Sequence, residues 1–152
     1  MTEMGGLPRY EITRGKRIVN ALMGLAVRLG IGPGQSRLLT TVGRKSGQRR
    51  TIPVSLVEQG GERCLVSPYG VRPWVLNVRA SGNAELRRGR RRERVTLEEL
   101  DAAASASVLK SYLTANSITA PYFDATPEAD LAAFEAEADR HPTFRITASE
   151  AV

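Results

Sequence analysis

The sequence holds one cysteine, one histidine and one tryptophan among its 152 residues. A lone Cys64 cannot form an intramolecular disulfide. Cys64 and His141 together cannot supply the three or four ligands of a protein-built zinc centre, so no metal site is expected. With one histidine, no Ser/His/Asp or Cys/His nucleophile set can be assembled. His141 stands before Pro142 and has no evident partner to make it catalytic. No apolar run reaches the ~18 residues that a membrane-crossing helix needs. The N-terminus lacks the basic-then-apolar order of a secretory signal, so a soluble, cytoplasmic protein is the expectation. If the chain is an enzyme, a cofactor is expected to carry the chemistry.

What remains is ordinary in amount and unusual in placement. Hydrophobic residues make up 41% and charged residues 25%, which suits one globular domain over 1–152 and argues against wholesale disorder. A second core in a chain this short would leave each half marginal. Residues 1–97 carry 19 basic and 6 acidic side chains, or +13, whereas residues 98–152 carry 3 and 10, or −7. The first two-thirds should attract an anion: a phosphate, a nucleic acid, an acidic cofactor tail or a membrane surface.

Periodicity and punctuation give the elements. Residues 1–12, with Gly5, Gly6 and Pro8, read as loosely ordered. Arg14 to Leu29 reads as an amphipathic helix with a stripe of Ile18, Leu22, Leu25 and Leu29, stopped by Gly30–Ile31–Gly32–Pro33–Gly34. Its stripe should dock on the body of the protein, with peripheral membrane contact through Lys16, Arg17 and Arg28 as a secondary property. Strands are expected over Leu38–Val42, Arg50–Gln59 and Arg63–Ser67, with turns at Gly43–Gln48 and Gly60–Gly61. Pro53 marks an edge or a bulge. Pro73 should start a short helix to about Ala80, followed by a hairpin of Ala84–Arg88 and Arg91–Leu97 around Gly89. Helices are expected over Glu98–Leu113 and from a Thr126–Pro127–Glu128 cap to about Arg140, then a strand over Thr143–Thr147. Antiparallel hairpins with helices between and after them predict a small barrel or sheet of the α+β class.

Two segments could carry chemistry. Gly43–Arg44–Lys45–Ser46–Gly47–Gln48–Arg49–Arg50 gathers four cations about a glycine turn, with the hydroxyls of Ser46 and Thr51 beside them. Such a turn suits a phosphate or carboxylate, because arginine forks bind oxyanions in pairs of bonds; it also suits a solvated basic hairpin. In Ser67–Pro68–Tyr69–Gly70 a strand ends in a loop that feeds a helix carrying Trp74 and Asn77. Backbone N–H groups there could meet the polar edge of a planar ring, and Trp74 could pack on it or in the core. Tyr112 and Tyr122 could line a substrate pocket or simply pack. Cys64 reads as a core residue. Arg87, Arg88, Arg90, Arg91, Arg92 and Arg94 invite a nucleic-acid reading, but no aromatic is interleaved to stack on bases, and a solvated hairpin face accounts for them.

The run LTTVGRKSGQRRT (Leu39–Thr51), joined to RPWVLNVRASGNAEL (Arg72–Leu86), resembles the deazaflavin-dependent nitroreductase family. That resemblance implies a split β-barrel of the FMN-binding type with an N-terminal amphipathic helix and C-terminal helices. It implies coenzyme F420 as cofactor, with FMN as the alternative. The basic turn would hold the phosphate and oligoglutamate tail, which assigns Arg44, Lys45, Ser46, Gly47, Arg49, Arg50 and Thr51. The Ser67, Pro68, Tyr69 and Gly70 loop would lie along the deazaflavin ring, with Trp74 and Asn77 on the helix that follows. The implied activity is hydride transfer from the reduced coenzyme to a small hydrophobic or electron-poor acceptor: an activated C=C bond, a quinone, a nitro compound or an unsaturated lipid. A monomer or homodimer without nucleic acid would suffice. The rival readings are a split-barrel binder of FMN, haem or fatty acid without this redox role, separable by ligand absorbance, and a nucleic-acid module, separable by steep salt dependence.

Overall fold

The computed structural model describes residues 35–152. The helix expected over Arg14–Leu29 and the loose ordering expected over 1–12 lie outside those residues. Six strands close into an antiparallel barrel: β1 (Ser36–Val42), β2 (Arg49–Gln59), β3 (Glu62–Val66), β4 (Asn83–Arg88), β5 (Arg91–Glu99) and β6 (Thr143–Ala151), in the order β1-β2-β3-β6-β5-β4. Closure removes the sheet edges that an open set of hairpins would leave. Every second residue faces inward. Leu39, Leu65, Leu86, Val95 and Phe144 are all but sealed from solvent and form the barrel's core.

β2 changes partner along its length. Arg49 to Ser55 pair with β1, and Leu56 to Gln59 pair with β3. At Pro53, opposite Leu38, β2 has a neighbour on one side only among the described residues. A residue without an N–H is tolerated at such a place, as the sequence led one to expect.

One end of the barrel is plugged by α1 (Pro73–Ser81). Pro73 occupies its first turn, and Gly82 ends it at φ 75°, where the Gly82 N–H reaches the Val78 carbonyl at 2.7 Å. Trp74, Val75 and Val78 enter the barrel core. A second core lies outside the barrel, where Val57, Cys64 and Val66 are covered by α2 (Ala102–Ala115) and α3 (Leu131–Glu137). No described helix is long and apolar enough to cross a membrane.

Several boundaries differ from expectation, and β6 runs on to Ala151, past the expected Thr147. Glu98 and Glu99 belong to β5, where they pair with Arg145 and Phe144, so α2 starts later. Asp101 caps α2, its carboxylate accepting the Ala104 N–H at 2.8 Å. The cap of α3 is Asp130, bonded to the Ala133 N–H at 3.1 Å; Thr126 instead closes a turn with Ala129. A 3-10 helix over Ser117–Tyr122 stands where no element was expected, and Ala138–Arg140 continues α3 in the same tighter form.

Candidate functional site

The topology sorts the two candidate segments. The β1–β2 turn, the segment leaving β3, the ends of β4 and β5 nearest α1, and the start of β6 all lie at one end of the barrel. The basic turn and the Ser67–Gly70 loop therefore share that end with α1. The Gly89 hairpin, with its arginines, lies at the opposite end.

The turn is tightly built. Gly43 N–H donates to the Gln48 carbonyl at 2.7 Å, and Gly47 N–H to the Gly43 carbonyl at 2.8 Å. Gly47 sits at φ 70°, which favours glycine, and a Cβ at Gly43 would displace the Ser46 hydroxyl. Ser46 Oγ is occupied within the turn, accepting the Gln48 N–H at 3.2 Å. Arg44, Lys45 and Arg50 are exposed on its rim. Arg50 contacts Gln48 Oε1 at 3.3 Å, and Lys45 makes no ion pair among the described residues.

Alternation along β2 separates two neighbouring arginines. Arg50 follows the parity of the inward residues Ile52 and Val54, whereas Arg49 lies on the outer face, 2.6 Å from Glu85, which also binds Arg92 at 3.0 Å. The two arginines hold the Glu85 carboxyl below the ordinary glutamate range, Arg49 more than Arg92. Thr51 shares that outer face, its hydroxyl 2.8 Å from Thr40 Oγ1. The structure therefore brings Arg44, Lys45, Ser46, Gly47 and Arg50 together and sets Arg49 and Thr51 apart from them.

Trp74 and Asn77 have structural roles. Trp74 is buried, with its ring centroid 5.6 Å from that of Phe144. Asn77 is buried, and its amide is spent on the protein. Asn77 Oδ1 accepts the Arg44 backbone N–H at 3.1 Å and the guanidinium at 3.2 Å, while Nδ2 donates to Thr41 Oγ1 at 3.1 Å. Asn77 thus pins the basic turn to α1.

In the loop, Ser67 and Pro68 are buried, and Gly70 takes φ 93°. Ser67 Oγ donates to the Gly70 carbonyl at 2.5 Å. Tyr69 meets Tyr122 edge to face at 4.8 Å. Tyr112 is sealed in the helical core, and burial pushes its phenol well above the ordinary value, with Tyr69 adding to the shift. Tyr122 alone of the two expected substrate contacts is at the loop.

His141 has partners that the sequence reading did not supply. Its Nε2 lies 2.7 Å from Glu137 Oε1 and its Nδ1 lies 2.9 Å from the Pro68 carbonyl. The signal was the four-residue spacing in Glu137–Ala138–Asp139–Arg140–His141, which brings the ends of one helical turn together. Cys64 is buried as expected, and burial raises its thiol. Cys64→Ala should keep turnover within about twofold at a stability cost of roughly 1–2 kcal/mol. Lost turnover in a variant with a normal melting curve would reveal a missed nucleophile.

The site's donor set suits an anionic, planar ligand: a glycine-built cationic rim, and beside it a strand-to-helix loop flanked by tyrosines. The profile of the F420H(2)-dependent quinone reductase family matches residues 12–145. A comparison with curated proteins finds no match. Among solved structures, an F420-H2 dependent reductase (FDR-A) is similar at 25% identity and TM-score 0.53, over 74% of this chain and 94% of that one. A chain described as a domain-swapped dimer is similar at 23% identity and TM-score 0.52, over 88% and 93%. A NimC/NimA family protein from Clostridium acetobutylicum shares the fold at 9% identity and TM-score 0.53, over 86% and 84%.

Proposed function

The chain belongs to the F420H(2)-dependent quinone reductase family, and from that membership we propose that the barrel end carrying α1 binds the coenzyme and a quinone side by side. The enzyme is an oxidoreductase, and its cofactor is coenzyme F420. The donor set fits this group: its tail is anionic, and the rim offers Arg44, Lys45 and Arg50 on a backbone held by Gly43 and Gly47. Its ring is flat with a polar edge, and the loop offers backbone groups of Tyr69 and Gly70 with the aromatic face of Tyr69 and Tyr122 next to them.

When bound, the reduced coenzyme supplies a hydride, and a quinone that takes it up with one proton leaves as the hydroquinone. The chain's own residues bind and orient. The rim holds the tail by charge, which favours bonds of the charge-assisted kind. The loop would hold the ring, and the Tyr69–Tyr122 pair beside it would bound the space left for a quinone. Holding two reactants in near-attack geometry contributes much of the rate in such a reaction and asks for no strong acid or base. Tyr112 is sealed in the helical core.

The observation that carries this reading is the meeting of the cationic turn and the Pro/Gly loop on either side of α1. Fluorescence titration with the reduced and oxidised coenzyme tests it, followed by turnover with menadione. Saturable binding that weakens as the oligoglutamate tail is shortened, with stoichiometric hydroquinone formation, is expected. Equal affinity for a tail-less deazaflavin would remove the turn from the site.

A further inference from the structure

Glu137 and His141 are 2% and 1% exposed, and nothing in the functional reading above uses them. The carboxylate is fully engaged. Glu137 accepts the Asp124 N–H at 3.1 Å, the Ala125 N–H at 2.9 Å and His141 Nε2 at 2.7 Å. Arg140, itself bonded to Asp124 at 2.5 Å, stands 4.0 Å from Glu137 Oε2. The Phe123 ring stacks on the imidazole, with centroids 3.9 Å apart and planes 15° off parallel. The far ring nitrogen, Nδ1, meets the Pro68 carbonyl.

The donor inventory fixes one proton. A peptide carbonyl only accepts, so Nδ1 carries a hydrogen. Glu137 receives backbone N–H groups on both oxygens, and its Oε1 shares one hydrogen with His141 Nε2.

Each end of this pair holds one wall of the site. On the loop side, Pro68 is held through its carbonyl, the Ser67 N–H donates to the Pro142 carbonyl at 2.8 Å, and Gly70 lies against the Arg140 carbonyl. On the other side, the carboxylate holds the backbone just after Tyr122 and Phe123, and Tyr122 rests on Tyr69. Apolar side chains of the same volume would fill the space without burying two polar groups. They would not aim a carbonyl and two amides at once.

We propose that Glu137 and His141 form a positioning pair that sets the Ser67–Gly70 loop and the Tyr122 segment at a fixed separation, and so places the coenzyme ring against the acceptor. This rests on the reading of that loop as the ring-side segment. The pair touches neither reactant and acts through Pro68 and the Asp124–Ala125 backbone.

The test uses the full chain in two arms. His141 is the sole histidine, so labelled histidine gives one pair of ring-nitrogen signals. Nδ1 should carry a hydrogen, and both signals should shift when the coenzyme is added. In the second arm, His141→Gln and Glu137→Gln should lower kcat for menadione about tenfold to a hundredfold while the coenzyme Kd stays within about threefold, since orientation is lost and the tail contacts remain. A bare Nδ1, or signals that ignore bound coenzyme, would overturn the proposal even if the variants do not fold. Folded variants with unchanged kcat would do the same. A wild-type chain that binds no coenzyme would instead overturn the functional reading of the loop, while the nitrogen spectrum would still decide whether His141 holds the Pro68 carbonyl.

Discussion

Lys45→Ala combined with Arg50→Ala should weaken binding of the reduced coenzyme by about two orders of magnitude and leave the fold intact. Both side chains are exposed on the rim of the turn, and neither supports the barrel core. A bond to a charged group contributes about 1.5–3 kcal/mol. Exposure to solvent pulls each toward the lower figure. Two such losses come to about 3 kcal/mol, or roughly a hundredfold in Kd. Arg49→Ala is the internal comparison. It stands one residue away with the same charge, yet it faces Glu85 on the outer wall at 2.6 Å. Its removal should change the coenzyme Kd by less than about threefold, the scale of an exposed ion pair. The wild-type affinity should also fall with added salt, and the double variant should lose most of that dependence. Equal losses for Arg49→Ala and the double variant would mean that general positive charge, and not the turn, attracts the tail.

The contrast between Arg49 and Arg50 also shows how far a sequence can be read. The turn itself is legible because glycine, cation and hydroxyl come from one short segment, and local chemistry decides local shape. Which arginine joins it depends on strand parity, and parity is set by Ile52 and Val54 packing inward from across the barrel. α1 is legible for the same local reasons, Pro73 at its start and Gly82 at its end. The start of α2 is not. Glu98 and Glu99 are good helix formers, but β6 offers them Arg145 and Phe144 as partners, and the ladder overrides propensity. Thr126–Pro127–Glu128 has the look of a cap; Asp130 wins because its carboxylate reaches the Ala133 N–H while Thr126 is committed to a turn. His141 looks partnerless in the sequence because half of its environment comes from Pro68, 73 residues earlier. The sequence order holds no trace of that contact.

Asn77 lies between the legible and the hidden, and the second large effect is expected there. Asn77→Leu keeps the volume of the side chain and removes three hydrogen bonds, two to Arg44 and one to Thr41. Thr41 is buried, so its hydroxyl would lose a partner that water cannot readily replace. Each buried group left unsatisfied costs about 1–3 kcal/mol, so a stability loss of about 2–4 kcal/mol is expected. The functional consequence runs through the turn. Arg44 is fixed at both its backbone N–H and its guanidinium by one oxygen, and without it the rim cations sample many arrangements. Binding of the intact coenzyme should then weaken about tenfold, because ordering the turn is now charged against binding. A tail-less deazaflavin should bind the variant and the wild type alike, since it makes no use of the rim. That pairing separates a positioning role from a direct one. If Asn77 touched the ring, both ligands would lose affinity by the same factor. Hydrogen exchange at the Arg44 amide gives a second measure independent of any ligand: it should quicken in Asn77→Leu while the amides of β1 keep their protection. An unchanged Arg44 amide together with unchanged coenzyme affinity would show that the turn holds its own shape and that Asn77 serves only to pack α1 on the barrel.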